Sequence, residues 1–172
     1  MIYFTADLHF GHENIIRQCQ RPFKSVEQMD KALIQNWNAV VSEEDEVYIL
    51  GDFTMKSTYV AQQYFSALNG KKYLIRGNHD EFANDCDASL YELEWIKDYY
   101  KLEYRGVEMV LFHYPILEWE NKGKSSIHLF GHIHNNKTLE TVKSIGGKLM
   151  NVGVDVNNYT PVSIDKVLEV LS

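Results

Sequence analysis

A chain of 172 residues, 45% hydrophobic and 24% charged, has the composition of an ordinary globular protein and enough length for a buried core, so a single domain over residues 1–172 is expected. Its 17 basic and 24 acidic residues give a formal charge of −7, the wrong sign for general attraction to nucleic acid or anionic lipid. No apolar run reaches the roughly 18 residues of a membrane span, Cys19 and Cys86 form no metal or redox motif, and the chain starts on a strand-like stretch rather than a leader, so the expected location is the cytoplasm.

The first expected strand, residues 2–6, runs into Asp7. A helix is predicted from Ser25 to about Val41, with Ser25 and Gln28 as a capping box and Met29, Leu33, Trp37 and Val40 on one stripe. A strand at residues 46–50 then delivers Gly51-Asp52. Ser57 or Thr58 caps the next helix, which carries Val60, Tyr64 and Leu68 and stops at Asn69-Gly70. The third strand, residues 72–75, delivers Arg76-Gly77-Asn78-His79-Asp80, and a short helix is expected over residues 89–96. From Tyr99 the pattern is that of a β-meander. Residues 102–104 and 107–112 flank a hairpin turn at Arg105-Gly106 and lead to His113, and further strands are expected at 126–130, 138–144 and 148–152. Residues 163–171 read as a capped helix. Helices alternating with strands, then a run of strands, indicate an α/β protein with more than one sheet.

Asp7, Asp52, Asn78, His113 and His132 each stand just past an apolar β run, and in open α/β sheets ligands gather beyond the carboxyl ends of strands. In Asp7-Leu8-His9 and His132-Ile133-His134 the polar residues are two apart. On extended backbone that spacing aims both to one side, with the apolar residue between them facing the interior. Imidazole, carboxylate and amide oxygen without thiolate suit borderline divalent ions such as manganese, iron or zinc, and argue against a structural zinc site. Gly51, Gly77 and Gly131 each precede a candidate ligand, where glycine permits a sharp bend or a close approach.

Taken in order, Asp7-x-His9, Gly51-Asp52, Gly77-Asn78-His79-Asp80, His113 and Gly131-His132-x-His134 resemble the motifs of the calcineurin-like metallophosphoesterase superfamily. Phe10-Gly11-His12-Glu13-Asn14-Ile15-Ile16, with Arg21-Pro22-Phe23 after it, further resembles a small bacterial and phage branch of that superfamily. The resemblance implies a four-layer αββα sandwich with two mixed β-sheets and a site at the rim between them. It implies two divalent metal ions, manganese first and iron, nickel or zinc as alternatives. Asp7, His9 and His134 would hold one ion, Asn78, His113 and His132 the other, and Asp52 would bridge them. It also implies hydrolysis of phosphate esters by direct attack of a bridging hydroxide, with His79 as general acid and Asp80 orienting it. Two divalent ions less Asp7, Asp52 and a hydroxide leave roughly one positive charge to attract phosphate, an excess that Asn78 preserves by bringing no charge.

The expected substrate is a small phosphate ester, a diester ahead of a monoester, with nucleotides or cyclic nucleotides as candidates. A catalytically inactive scaffold of the same fold is the alternative, and the complete ligand set argues against it. A dedicated nuclease is disfavoured because neither a basic composition nor an extra domain is present. Oligomeric state stays open, and no membrane partner is expected.

Several residues carry two readings. His12 either lines the substrate entrance or caps the first loop. Arg76 is either a phosphate contact or, more simply, half of a surface salt bridge, and Arg17 and Arg21 are either a phosphate-facing patch or solvated loop charges. His128 reads as structural. Trp37 and Trp95 read as core or lid residues, whereas Trp119, in a charged, glycine-containing loop after His113, is the best aromatic candidate for a substrate wall.

Overall fold

A computed structural model describes residues 1–84, 87–136 and 138–171; Cys86 lies outside the described residues. The first sheet contains β1 (Ile2–Thr5), β2 (Glu46–Leu50), β3 (Lys71–Ile75), β4 (Leu93–Lys97) and β9 (Val162–Ser163), in the order β4-β3-β2-β1-β9. Its pairings are parallel except for β1 with β9. The second contains β5 (Tyr99–Tyr104), β6 (Val107–Phe112), β7 (Ile127–Phe130) and β8 (Lys148–Asn151), in the order β5-β6-β7-β8. Both sheets are mixed.

Alternation along the strands builds the layers. In β2, Val47 and Ile49 face α2 (Val26–Val40) and α3 (Thr58–Ser66), joining Leu33, Trp37 and Phe65. Tyr48 and Leu50 point the other way and meet Met109, Leu111 and Leu129 of the second sheet. On that sheet's outer face, Phe130 and Leu149 pack with Val142 of α4 (Thr138–Ser144). The result is the four-layer αββα sandwich. At the edge between the sheets, Ile164 and Val167 of α5 (Ile164–Leu171) close the central core. None of the described helices is long and apolar enough to cross a membrane.

The helix at Ser25 starts as expected: Ser25 Oγ accepts the Gln28 amide at 3.3 Å, while Gln28 Oε1 accepts the Lys24 amide at 2.7 Å. Met29, Leu33 and Trp37 are buried, but Val40 is exposed and Val41, beyond the helix end, fills the core instead. The turn at Arg105-Gly106 also holds, with φ of 51° and 77°, the two positive angles of a tight hairpin.

Three expectations fail. Residues 89–96 are not a helix: a 3₁₀ turn, Ala88–Tyr91, gives way to β4, where Trp95 sits opposite Tyr73 and their rings lie 5.2 Å apart. Residues 138–144 are a helix rather than a strand. The reason lies in the topology, since β7 and β8 are parallel and parallel neighbours need a crossover on one face. The same fact removes the meander, because β6 and β7 are parallel too, leaving β5–β6 as the antiparallel pair of that sheet. A short helix α1 (Glu13–Gln18), anchored by buried Ile15, follows the first motif unanticipated.

Candidate metal centre

β1, β2 and β3 of one sheet and β6 and β7 of the other end at the same rim. The chain leaves them in left-handed turns: φ is 59° at Asp7, 54° at His9, 55° at Asp52, 69° at His132 and 48° at His134. The two Asp/His-x-His pairs therefore aim inward through strained turns and not through the extended backbone that their spacing suggested. Leu8 and Ile133, between the paired residues, are buried as expected.

These turns close on one another through main-chain bonds. The Asp7 and His9 amides donate to the carbonyls of Gly51 (2.9 Å) and Asp52 (3.0 Å), and the Gly131 amide to that of His113 (2.9 Å). So close an approach leaves no room for side chains at two glycines. A Cβ on Gly77 would overlap the Asp52 carboxylate, and one on Gly131 would lie 2.5 Å from Ala6 Cβ and 2.8 Å from Asp7 Oδ2.

All seven expected ligands converge. Asp7, His9 and His134 offer ligand atoms within 4.8 Å of one another, and so do Asp52, His113 and His132. Asp52 Oδ2 lies 3.5 Å from His9 Nε2 and 3.5 Å from His113 Nε2, so one oxygen faces both groups. Asn78 Oδ1 is 3.1 Å from His113 Nε2. Two rings are aimed from behind: His113 Nδ1 donates to the Leu50 carbonyl at 2.8 Å, and His134 Nδ1 lies 2.8 Å from Asp155 Oδ2. The His79 amide donates to Asp52 Oδ1 at 2.9 Å, and its ring lies 5.4 Å from that of His9.

The donor set fits divalent ions. His9 Nε2 is buried without a hydrogen-bond partner, an orphan that a cation would satisfy. Burial, above all, depresses the pKa of His9, His113 and His132, favouring the neutral imidazoles that bind metal. Burial likewise raises Asp7 to about 7, against the pull of His134 and with the push of Asp52. A cleft of about 720 Å³ opens beside His132 and His134, with Gln18, Gln20, Asn135 and Asn136 also on its walls.

Around this centre several readings resolve. His12 stands at the start of α1 but makes no side-chain cap bond; its ring lies against the site, Nδ1 at 3.4 Å from His9 Nδ1. The Asp80 carboxylate accepts the amides of Gly77, Asp52 and Phe53, each at 2.8 Å, so it braces the Asp52 turn, a different part from the expected one of orienting His79. Arg76 pairs with Asp98 at 2.7 and 2.8 Å, the salt bridge of the simpler reading. Arg17 bonds Asn14 on the exposed side of α1. Trp119 is buried, donating to Ser126 Oγ at 3.0 Å, and forms no substrate wall; the aromatic ring beside the site is Tyr114, 4.5 Å from His132. His128 is structural, bonded to the Val110 and Tyr114 carbonyls.

Arg21 is neither solvated nor free to face phosphate. It is buried against Asp155 and the Asp7 and Leu8 carbonyls. Asp155 went unnoticed in the sequence, although it lies shortly after an apolar strand and Gly153. Asn151, also overlooked, donates to the His134 carbonyl at 3.0 Å.

Comparison with known proteins agrees with this geometry. Residues 1–93 match the model of the calcineurin-like phosphoesterases. An uncharacterized protein of Methanocaldococcus jannaschii is 37% identical, the alignment covering 99% of this chain and 90% of that protein. The gene 66 protein of Mycobacterium phage D29 is 27% identical, over 99% of this chain and 96% of its own. A protein of unknown function from Aquifex aeolicus, solved as a crystal structure, is similar at a TM-score of 0.79 and 29% identity, covering 99% of this chain and 98% of that one. With the family matched over more than half the chain, and residues beyond the match completing the same centre, the chain belongs to the calcineurin-like phosphoesterases, metal-dependent enzymes that hydrolyse phosphate esters.

Proposed function

We propose that this enzyme cleaves phosphodiesters in preference to phosphomonoesters at a centre of two divalent ions, manganese first among the candidates. Support comes above all from the single Asp52 oxygen standing 3.5 Å from a histidine of each ligand group, the position of a bridging ligand. Asp7, His9 and His134 hold one ion, Asn78, His113 and His132 the other, and Asp52 both. Such a pair of ions supplies an ionised water at neutral pH and positive charge for the phosphate oxygens.

The chain's own residues do the rest. Asn78 ligates without adding negative charge, which keeps the centre attractive to phosphate in a protein of formal charge −7. His79, tethered through its amide to Asp52, protonates the departing oxygen, help worth about 10²–10⁴-fold. His12, beside His9 and His79 at the mouth, contacts the substrate. Asp80 acts through Asp52, whose turn it braces. Diesters are favoured because a poor alkoxide leaving group needs that proton and because the cleft beside His132 and His134 has room for a second ester substituent. Small nucleotides and cyclic nucleotides have the required size.

The test is hydrolysis of bis-p-nitrophenyl phosphate and p-nitrophenyl phosphate with manganese. Faster diester cleavage is expected, abolished in Asp52→Asn. His79→Ala should lower kcat about 10²–10⁴-fold on a diester with an alkoxide leaving group, such as a cyclic nucleotide, and less on the nitrophenyl ester, whose leaving group needs no proton. Equal rates in wild type and both variants overturn the catalytic assignment, and a faster monoester overturns the preference.

A further inference from the structure

We propose that Arg21 and Asp155 are positioning residues for one half of the centre: a buried charged strut that holds His134 in register with Asp7 and His9. The proposal rests on the two-ion reading above.

The two residues are 134 positions apart, and both side chains are 0% exposed. They meet in a fork of two N–H···O bonds, Arg21 Nε to Asp155 Oδ1 at 2.8 Å and Nη2 to Oδ2 at 2.9 Å. The other ends of both residues go to the metal centre. Arg21 Nη2 donates to the Asp7 carbonyl at 2.7 Å and Nη1 to the Leu8 carbonyl at 2.9 Å, gripping the backbone that carries Asp7 and His9. Asp155 Oδ2 takes His134 Nδ1 at 2.8 Å, which turns the opposite nitrogen of that ring toward the centre. One ion pair thus joins the first motif to the last.

Stability alone gives weak reason for such a pair, since burying two charges costs solvation that an apolar pair of similar volume avoids. The contacts give a better one. Apart from one Arg21 Nη1 bond to Met29 Sδ at 3.4 Å, the hydrogen bonds these two side chains make beyond the fork go to a turn or ring that presents a ligand. Cys19, His134 and Asp155 also lie within 4.8 Å of one another, but a cation there would share the Asp155 carboxylate with the Arg21 guanidinium, which already supplies the positive charge. The other half of the centre is held differently, His113 by the Leu50 carbonyl and the Gly131-His132 turn by the His113 carbonyl and the Asp7 carboxylate. Loss of the strut therefore acts first on one ion, the other being reached only through the Asp7 carboxylate.

The experiment is calorimetric titration of the chelator-treated full chain with manganese alone, for wild type, Asp155→Asn and Arg21→Lys, with thermal melts as a check on folding. Wild type should take up two equivalents. Each variant should bind one of them about 10–100-fold more weakly and the other within about twofold. Arg21→Lys keeps the charge and loses the fork, so it carries the test if Asp155→Asn fails to fold. In His134→Ala, adding Asp155→Asn should cost less affinity than it does in wild type, because the carboxylate then holds Arg21 but no ring. Equal weakening of both equivalents, no weakening of either, or additive losses in the double variant overturns the strut. A wild type that binds one equivalent, weakened by Asp155→Asn, keeps the strut and overturns the two-ion reading. No uptake at all overturns both.

Discussion

Asp7, His9, Asp52, His132 and His134 hold φ between 48° and 69°, backbone that costs a non-glycine residue about 1–3 kcal/mol. That strain sits on five of the seven side chains that the centre needs. It aims these side chains at one rim shared by the two sheets. The consequence is testable at His132, whose ring is half exposed and makes little of the core. In the metal-free protein His132→Gly should be more stable than His132→Ala by about 1 kcal/mol, because alanine keeps the left-handed penalty and glycine escapes it. Urea unfolding of both variants measures this, and alanine at or above glycine would show that the turn is not strained. Gly77 makes the opposite case. A Cβ there overlaps the Asp52 carboxylate, so Gly77→Ala should push the shared ligand aside and lower kcat by about 10²-fold, the usual cost of an ångström of misplacement. An unchanged kcat in a folded Gly77→Ala would mean that Asp52 has slack to move.

Among the elements, the Asp52 turn depends on a residue 28 positions away. Asp80 is buried and accepts the Gly77, Asp52 and Phe53 amides, so Asp80→Ala orphans buried donors at about 1–3 kcal/mol each and releases the turn. A fall in melting temperature together with loss of manganese uptake is expected; full uptake at wild-type affinity would reduce Asp80 to a structural role. How much of this was legible in the sequence follows from how local each signal is. The capping box at Ser25 and the hairpin at Arg105-Gly106 are decided within four residues, and both are present as read. Asp52, Asn78 and His132 were readable because each follows a strand and a glycine, and Asp7 and His113 because each follows an apolar strand. Residues 138–144 were misread because Thr138, Thr141 and Val142 favour strands locally, while the parallel pairing of β7 and β8 demands a crossover that only the assembled sheet imposes. Residues 89–96 went wrong in the reverse sense, Trp95 being drawn into the sheet by Tyr73 on a strand 22 positions earlier. Arg21 and Asp155 show the limit, since their meaning lies in a contact that spans 134 positions.

For the whole molecule the question is what holds the rim together when no ion is bound, and protons are the answer. Burial raises Asp7 to about 7 and, with the push of Asp52, raises Asp80 to about 7, from 3.8. His134 is lifted from 6.5 to about 10, its burial outweighed by the bond to Asp155. A group whose pKa is higher folded than unfolded binds more protons in the folded chain. Its stabilisation is complete below the unfolded pKa and disappears as pH climbs through the folded one. For Asp7 and Asp80 that window runs from about 4 to 7, and for His134 from 6.5 to about 10. His9, His113 and His132 are lowered, chiefly by burial, and work oppositely: folding must strip their protons below pH 6.5, a penalty that vanishes above it. Above pH 6.5, therefore, the histidine terms are exhausted while those of Asp7, Asp80 and His134 continue to fall, and the metal-free protein should weaken steadily toward pH 8. An ion takes the place of the protons on Asp7 and His134, so its affinity should rise about tenfold per pH unit for each proton displaced. Manganese at a hundredfold over its Kd adds about 2.7 kcal/mol per site, which in a chain of this size raises Tm by about 5–10 °C. Melting curves at pH 6 and pH 8, with manganese or with a chelator, should show the gap between loaded and stripped protein widening at the higher pH. A gap that stays constant or narrows would mean that Asp7 and His134 do not give up protons to the metal.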